Sequence, residues 1–271
     1  MTASISTTSE SSGDARLPIS ICMIAGAEAS RIGLALESVA GWAAEIIVVI
    51  NDDVTDGTDK IAGDRGARVF REPWKGHIAQ KNSAAAKATQ PWILGLDADE
   101  ALSPGLRAEI QSAMAAPGGH AAFCFPRCTS FCVRWIRHGD WYPDRQTRLW
   151  RRGHAEWGGI NPHDKLIVSG SVGRLENDLM HDTAGTIDRH VTKLLAYTEI
   201  FSQAERPAGI LELFIRPVWR FIRSYFLRLG FLDGWQGYYI AWITAFYTAT
   251  RYAKLCERRG RVVQPTKLEK F

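Results

Sequence analysis

Nowhere does this 271-residue chain hold an uninterrupted run of about 18 uncharged apolar residues, the length a membrane-spanning helix needs. The segment from Gly234 to Thr250 comes closest. Its Trp235, Tyr238, Tyr239, Trp242, Phe246 and Tyr247 suit a membrane interface or one face of a buried helix. The chain also has no CxxC pair. Its five cysteines (Cys22, Cys124, Cys128, Cys132 and Cys256) are odd in number and lack zinc spacing. That excludes a disulfide framework and a Cys-based zinc module, and fits a reducing compartment. Residues 1–16 are Ser/Thr-rich without an apolar core, which reads as a disordered leader and not as a signal peptide. Acids are missing between Arg216 and Arg228, where four arginines occur. From Arg251 to Phe271 seven Lys/Arg stand against Glu257 and Glu269. The overall charge of +4 is modest, but a basic carboxyl-terminal third favours an anionic partner, phospholipid headgroups or nucleic acid.

What is present is a regular alternation. Ile19–Ile24 reads as a strand, followed by a loop with Gly26 and a helical pattern at Ile32, Leu36 and Val39. Glu45–Ile50 is too β-branched for a helix and ends in Asn51-Asp52-Asp53; Thr55-Asp56-Gly57-Thr58 then caps a helix. Arg68–Arg71 is a short strand and Ile78–Thr89 an alanine-rich helix. Trp92-Ile93-Leu94-Gly95-Leu96 is an apolar run of the kind buried on both faces, leading into Asp97, Asp99 and Glu100. Four strands alternating with helices predict a mostly parallel sheet covered on both faces. A helix over Leu106–Met114 follows, then short aromatic and Arg-rich strands from Ala121 to about Val172. A last short strand is expected within Leu175–Met180, a helix over Thr186–Ala204, and a helical, basic, aromatic segment thereafter. The expected division is a leader over 1–16, an α/β domain over 17–204 and a helical, basic, aromatic-rich, membrane-associating extension over 205–271.

Two strands therefore end in acids, at the sheet edge where open parallel sheets bind ligands. Carboxylates two residues apart, Asp97 and Asp99, suit a hard divalent cation that completes its shell with phosphate oxygens. A solvated acidic turn is the competing reading of that segment alone. Arg145 and Arg148, flanking Gln146, present planar forks suited to phosphate or acceptor oxygens. Trp141 offers a ring on which a sugar or base can stack, and Arg216, Arg220 and Arg223 share one face of a helix that could lie on an anionic membrane.

The ordered set formed by Glu28, Asn51 to Thr58, Gln80-Lys81-Asn82, Trp92 to Glu100, Gly139 to Trp150, His163-Asp164 and His181 resembles family 2 glycosyltransferases of the GT-A fold. Within them it is most similar to the lipopolysaccharide-core β-glucosyltransferases, over roughly residues 18–260. The resemblance implies an α/β, Rossmann-like, mostly parallel sheet flanked by helices, with a helical basic carboxyl-terminal extension. It implies donor binding by Glu28, Asn51, Asp52, Lys81, Asp97, Ala98, Asp99, Arg145, Gln146 and Arg148. Asp97, Asp99 and His181 would hold Mg2+ or Mn2+, Trp141 and His163 would meet the acceptor, and Asp164 would act as general base. The implied reaction is inverting transfer of a hexose, glucose from UDP-glucose, to a membrane-anchored glycolipid such as the lipopolysaccharide inner core. The implied setting is the cytoplasmic face of the plasma membrane, without a nucleic-acid partner. Ala27 stands where the family usually has Asn, Asn51 where it has its first acid, Asp53-Val54 where it has Gly-Ser, and Asp164 where the subgroup has the longer Glu. Two alternatives stay open on the residues alone. A nucleotidyltransferase also uses strand-end carboxylates, although Ala25-Gly26-Ala27-Glu28 is a poor triphosphate loop. A non-catalytic membrane-bound scaffold is the other.

Overall fold

The computed structural model describes residues 16–160, 163–183, 185–202 and 210–263. Most of the expected leader, the 204/205 boundary and the last eight residues lie outside these. In chain order the elements are β1 (Leu17–Ala25), α1 (Ile32–Glu37), β2 (Ala43–Asn51), α2 (Thr58–Asp64), β3 (Arg68–Glu72), α3 (His77–Ala86) and β4 (Trp92–Gly95). There follow β5 (Glu100–Leu102), α4 (Pro104–Ala115), β6 (Ala122–Phe131), β7 (Arg134–Ile136), a 3-10 turn (Gly139–Trp141) and β8 (Asp144–Arg151). The remainder is β9 (Ala155–Ile160), β10 (His163–Val168), β11 (Val172–Arg174), β12 (Leu179–His181), α5 (Ile187–Ser202), α6 (Ile210–Ile222), a π turn (Arg223–Leu227), a 3-10 turn (Gly230–Asp233) and α7 (Gly234–Val263).

The chain forms two units that interleave along the sequence. The first contains residues up to Ala98, then 108–123 and 147–173. Here β1 pairs in parallel with β2 and β4, and β2 with β3. The β-branched run predicts this well: Ile47, Val48, Val49 and Ile50 are fully buried, as strands covered on both faces require. The expectation of a mostly parallel sheet holds for these four strands. Beyond them the sheet is mixed, because β8 joins β4 antiparallel, with Trp92 opposite Arg151. A hairpin of β9 and β10 completes the unit. Its core joins Cys22, Ile47, Val49, Ile93 and Trp150 to Ala84 of α3 and Trp157 of β9.

The second unit contains residues 99–107, 124–146 and 174 onward. The helices after 210 fall in the same unit as these earlier strands. In this unit β12 pairs in parallel with β6 and antiparallel with β5, and β7 pairs antiparallel with β6. Phe131, Ile136 and Ile240 form its small core, with Phe131 stacked on Tyr239 at 5.4 Å. Buried acids tie the helical segment down. Asp140, 4% exposed, takes Arg220 at 3.0 Å, Arg223 at 2.9 Å and Arg228 at 3.5 Å. Asp233 accepts the backbone N–H groups of Arg137 and His138 at 3.0 and 2.8 Å. Gly237 allows the start of α7 to lie against the preceding turn, since a Cβ there would sit 1.9 Å from the Gly230 carbonyl oxygen. All five cysteines are free thiols, as their number and spacing predict.

Candidate active site

In the first unit the end of β4 delivers Asp97 into a cluster of charges drawn from three other elements. Lys81 of α3 approaches Asp97 at 3.0 Å and Asp164 of β10 at 2.9 Å, bridging the two carboxylates. Arg148 of β8 reaches the other Asp97 oxygen at 2.7 Å. Lys81 and Arg148 are nearly buried, and charges withdrawn from water persist only when paired. Burial opposes ionisation of Asp97, but Arg148 and Lys81 outweigh it and hold the carboxyl far below the usual range. The Trp157 ring backs the cluster, with Lys81 4.5 Å and Arg148 5.2 Å from its centroid, a cation–π arrangement. Two hydrogen bonds fix that tryptophan to α3: Asn82 donates to the Trp157 carbonyl and accepts from its N–H, both at 2.9 Å. Gly95 is required beside it, because a Cβ there would lie 2.8 Å from the Trp157 ring.

The loops after β1 and β2 are joined by side-chain hydrogen bonds. Asp56 accepts from the backbone N–H groups of Ala29 and Thr58, both at 3.0 Å, and Thr58 Oγ1 accepts from Glu28 N–H at 2.9 Å. Glu28 itself pairs with Arg31 at 2.5 Å. At the end of β2, Asn51 keeps its side-chain oxygen buried without a hydrogen-bond partner among the described residues, whereas Asp52 is exposed. A buried amide oxygen of this kind is completed by a donor group such as an imide N–H.

The second unit holds Asp99 and His181. Asp99 Oδ2 lies 3.5 Å from His181 Nε2, and the other ring nitrogen of His181 is 3.2 Å from Thr129 Oγ1. A histidine oriented through its second nitrogen is the arrangement metal-binding imidazoles adopt. Among the described residues no three His, Cys, Asp or Glu side chains gather closely enough to cage an ion alone. One carboxylate and one imidazole therefore suit a divalent ion that takes its remaining ligands from a substrate. Glu100, almost fully buried, pairs with Arg127, which also binds Asp144 at 2.6 Å. Gln146 donates to Asp144 at 2.8 Å, and Arg145 pairs with Glu176 at 2.5 Å while donating to the Leu175 carbonyl. Trp141 borders a cavity of about 410 Å3 that His181 also lines.

The structure thus gathers Lys81, Asp97, Arg148 and Asp164 in one unit, and Asp99 and His181 in the other; Ala98 is buried between the two aspartates in sequence. The side chain of His163 lies outside the described residues. Sequence reasoning missed Trp157 and Asn82 as the support of Lys81, and Thr129 as the orienter of His181. Only the Gln80-Lys81-Asn82 run hinted at the first of these.

The model for glycosyl transferase family 2 matches residues 20–169. An uncharacterized glycosyltransferase of Rickettsia bellii is 30% identical over 88% of this chain and 86% of its own. The lipopolysaccharide core biosynthesis glycosyltransferase LpsC of Rhizobium meliloti is 27% identical over 92% of this chain and 96% of its own. In fold the chain is similar to a mannosyltransferase of Pyrobaculum calidifontis, solved with GDP-Man and Mn2+. The two superpose with a TM-score of 0.51 at 13% identity, covering 94% of this chain and 89% of that one.

Proposed function

The chain belongs to glycosyl transferase family 2 and has the GT-A type of helix-flanked mixed sheet, and from that premise we propose that it is an inverting, metal-dependent hexosyltransferase. The observation that carries the proposal is Lys81 bridging a strand-end aspartate, Asp97, to Asp164. Family membership also decides against the nucleotidyltransferase and non-catalytic scaffold alternatives.

In the proposed reaction an acceptor hydroxyl oxygen attacks the anomeric carbon as the bond from that carbon to the diphosphate oxygen breaks. The proton passes to Asp164, whose carboxylate Lys81 orients. A single displacement inverts the centre, so an α-linked donor gives a β product. Lys81, Arg148, Asp97 and Asp164 sum to no net charge, so this cluster brings no surplus positive charge to a departing diphosphate. When bound at Asp99 and His181, Mg2+ or Mn2+ would supply that charge without a proton transfer. Glu28, Asn51 and Asp52 are proposed to contact the nucleoside, the buried Asn51 oxygen accepting an imide N–H of uracil. Ala98, Arg145 and Gln146 complete the donor set, and Trp141 and His163 meet the acceptor.

The donor is proposed to be UDP-glucose and the acceptor a membrane-anchored glycolipid, the lipopolysaccharide inner core, a reading supported by the similarity to LpsC. In a thermal-shift screen with Mn2+, UDP-sugars are expected to raise the melting temperature, UDP-glucose most. Stabilisation by nucleoside triphosphates but not by UDP-sugars would overturn the donor assignment.

Peripheral attachment to the inner face of the plasma membrane is part of the same proposal. No helix among the described residues is long and apolar enough to cross a membrane. Yet Phe214, Val218, Trp219, Phe226 and Leu227 are all more than half exposed along α6 and the π turn, and Trp235, Trp242 and Phe246 are equally open on α7. The arginines expected to face anionic lipid are instead engaged: Arg220 and Arg223 by Asp140, and Arg216 by Glu212 at 3.8 Å. Apolar insertion therefore supplies most of the proposed attachment, with a smaller contribution from headgroup charge. Phe214→Ser with Trp219→Ser is expected to reduce co-sedimentation with vesicles containing phosphatidylglycerol at least tenfold. Undiminished co-sedimentation would remove this face from the membrane reading.

A further inference from the structure

The cavity of about 410 Å3 in the second unit carries more chemistry than the proposed reaction uses. One of its lining residues is His181, the partner of Asp99, so it borders the proposed metal ligands. Trp141 contributes a half-buried ring, supported edge-on by Phe131 at 5.5 Å and by His190 at 5.2 Å. His190 keeps its Nδ1 buried with no hydrogen-bond partner among the described residues. Burial, reinforced by the nearby Lys193 charge, lowers its pKa and keeps the imidazole neutral near pH 7. A neutral imidazole nitrogen left unmatched in such a place suits a hydroxyl.

The cations around the cavity are of two kinds. Arg127 is balanced by Glu100 and Asp144. Arg189 and Lys193 are four residues apart on α5, share one face of the helix, and make no ion pair among the described residues. They present positive charge along one wall, and the Asp140 carboxylate that lines both cavities is taken up by Arg220, Arg223 and Arg228. A second cavity of about 290 Å3 shares Trp141, His190 and Lys193, and continues along α5 and α7 past Leu194, Tyr197 and Tyr247. The larger volume is in the range of small-molecule sites, and the smaller lies at its lower edge.

We propose that the larger cavity is the subsite for an anionic sugar of the acceptor, a saccharide ring bearing a phosphate or carboxylate. The ring lies on Trp141, a hydroxyl meets His190, the negative group meets Arg189 and Lys193, and the next unit of the acceptor occupies the smaller cavity. This deepens the reading of the chain as a glycosyltransferase, and rests on that reading for the ligand's identity as acceptor but not for its binding.

The test is calorimetric titration of the full chain, with saturating UDP and Mn2+ present, against glucose 6-phosphate, glucuronate and methyl glucoside. At least one of the two anionic sugars is expected to bind ten times or more tighter than the neutral glycoside, and which one does so separates phosphate from carboxylate recognition. Both Trp141→Ala and the double variant Arg189→Ser, Lys193→Ser are expected to weaken that binding tenfold or more. Equal affinity for the neutral glycoside, or anionic-sugar affinity unchanged in both variants, would overturn the proposal. Titration with UDP and Mn2+ alone reads the donor site separately. A chain that binds UDP but does not discriminate the anionic sugar refutes the subsite alone, and one that binds the anionic sugar but not UDP refutes the donor reading alone.

Discussion

Asp164→Asn is expected to lower sugar transfer by about 10²–10⁴-fold, the usual contribution of a positioned general base, while leaving donor affinity within a few-fold. The side chain keeps its size, and its amide oxygen can still accept from Lys81, so the geometry of the cluster is retained. What disappears is the capacity to take the acceptor proton. Lys81 does not become an unpaired buried charge, because Asp97 stays 3.0 Å away. The substitution is therefore a test of chemistry and only weakly of stability. The measurement is initial-rate transfer at saturating donor, with UDP affinity and melting temperature recorded on the same sample. A variant transferring sugar at the wild-type rate would exclude Asp164 as the base.

Asp99→Ala is expected to have an effect of similar size for a different reason. Removing the carboxylate beside His181 takes away the charged ligand of the proposed ion, and with it several kcal/mol of charge stabilisation on the leaving diphosphate, roughly 10²–10⁴-fold in rate. The backbone should survive, because the contact that the Asp99 carbonyl makes with the Asp182 N–H at 2.9 Å needs no side chain. Mn2+ affinity measured by electron paramagnetic resonance reads the ligand role directly, without turnover. Unchanged Mn2+ affinity together with unchanged rate would remove Asp99 from the metal assignment.

The same substitution at Asp97 belongs to another category. Asp97 balances both Lys81 and Arg148, two nearly buried cations, and its loss would leave Asp164 alone to offset them. In sequence the two aspartates look equivalent, two residues apart and both leaving a buried strand. The structure gives them different partners. Asp97 serves a buried charge cluster of the first unit, and Asp99 stands beside a histidine of the second.

Much of this was legible before any coordinates. Ile46 to Ile50 and Trp92 to Leu96 can hardly be anything but buried strands. Parallel order among the first four strands follows from the helices between them. Strand-end acids, the Gln80-Lys81-Asn82 run and His163-Asp164 were enough to suggest the family. These features are local: backbone propensity, periodicity and short spacings act within a few residues, and the chain carries them wherever it folds.

What only the tertiary structure decided is which charge meets which. Lys81 finds Asp164 across 83 positions, and Arg148 finds Asp97 across 51. Four arginines with no acid between them read as a surface for anionic lipid, yet Asp140 reaches Arg223 from 83 residues away and takes Arg220 and Arg228 as well. The physical reason is that a buried charge must be matched by whichever opposite charge the packing brings within reach, and sequence spacing does not encode that distance. By itself the sequence determined the first four strands and their parallel sense, the family and the residue types at hand. The fold determined that Asp97 is held between Lys81 and Arg148, that Asp99 stands beside His181, and that the exposed face of the carboxyl-terminal helices is aromatic.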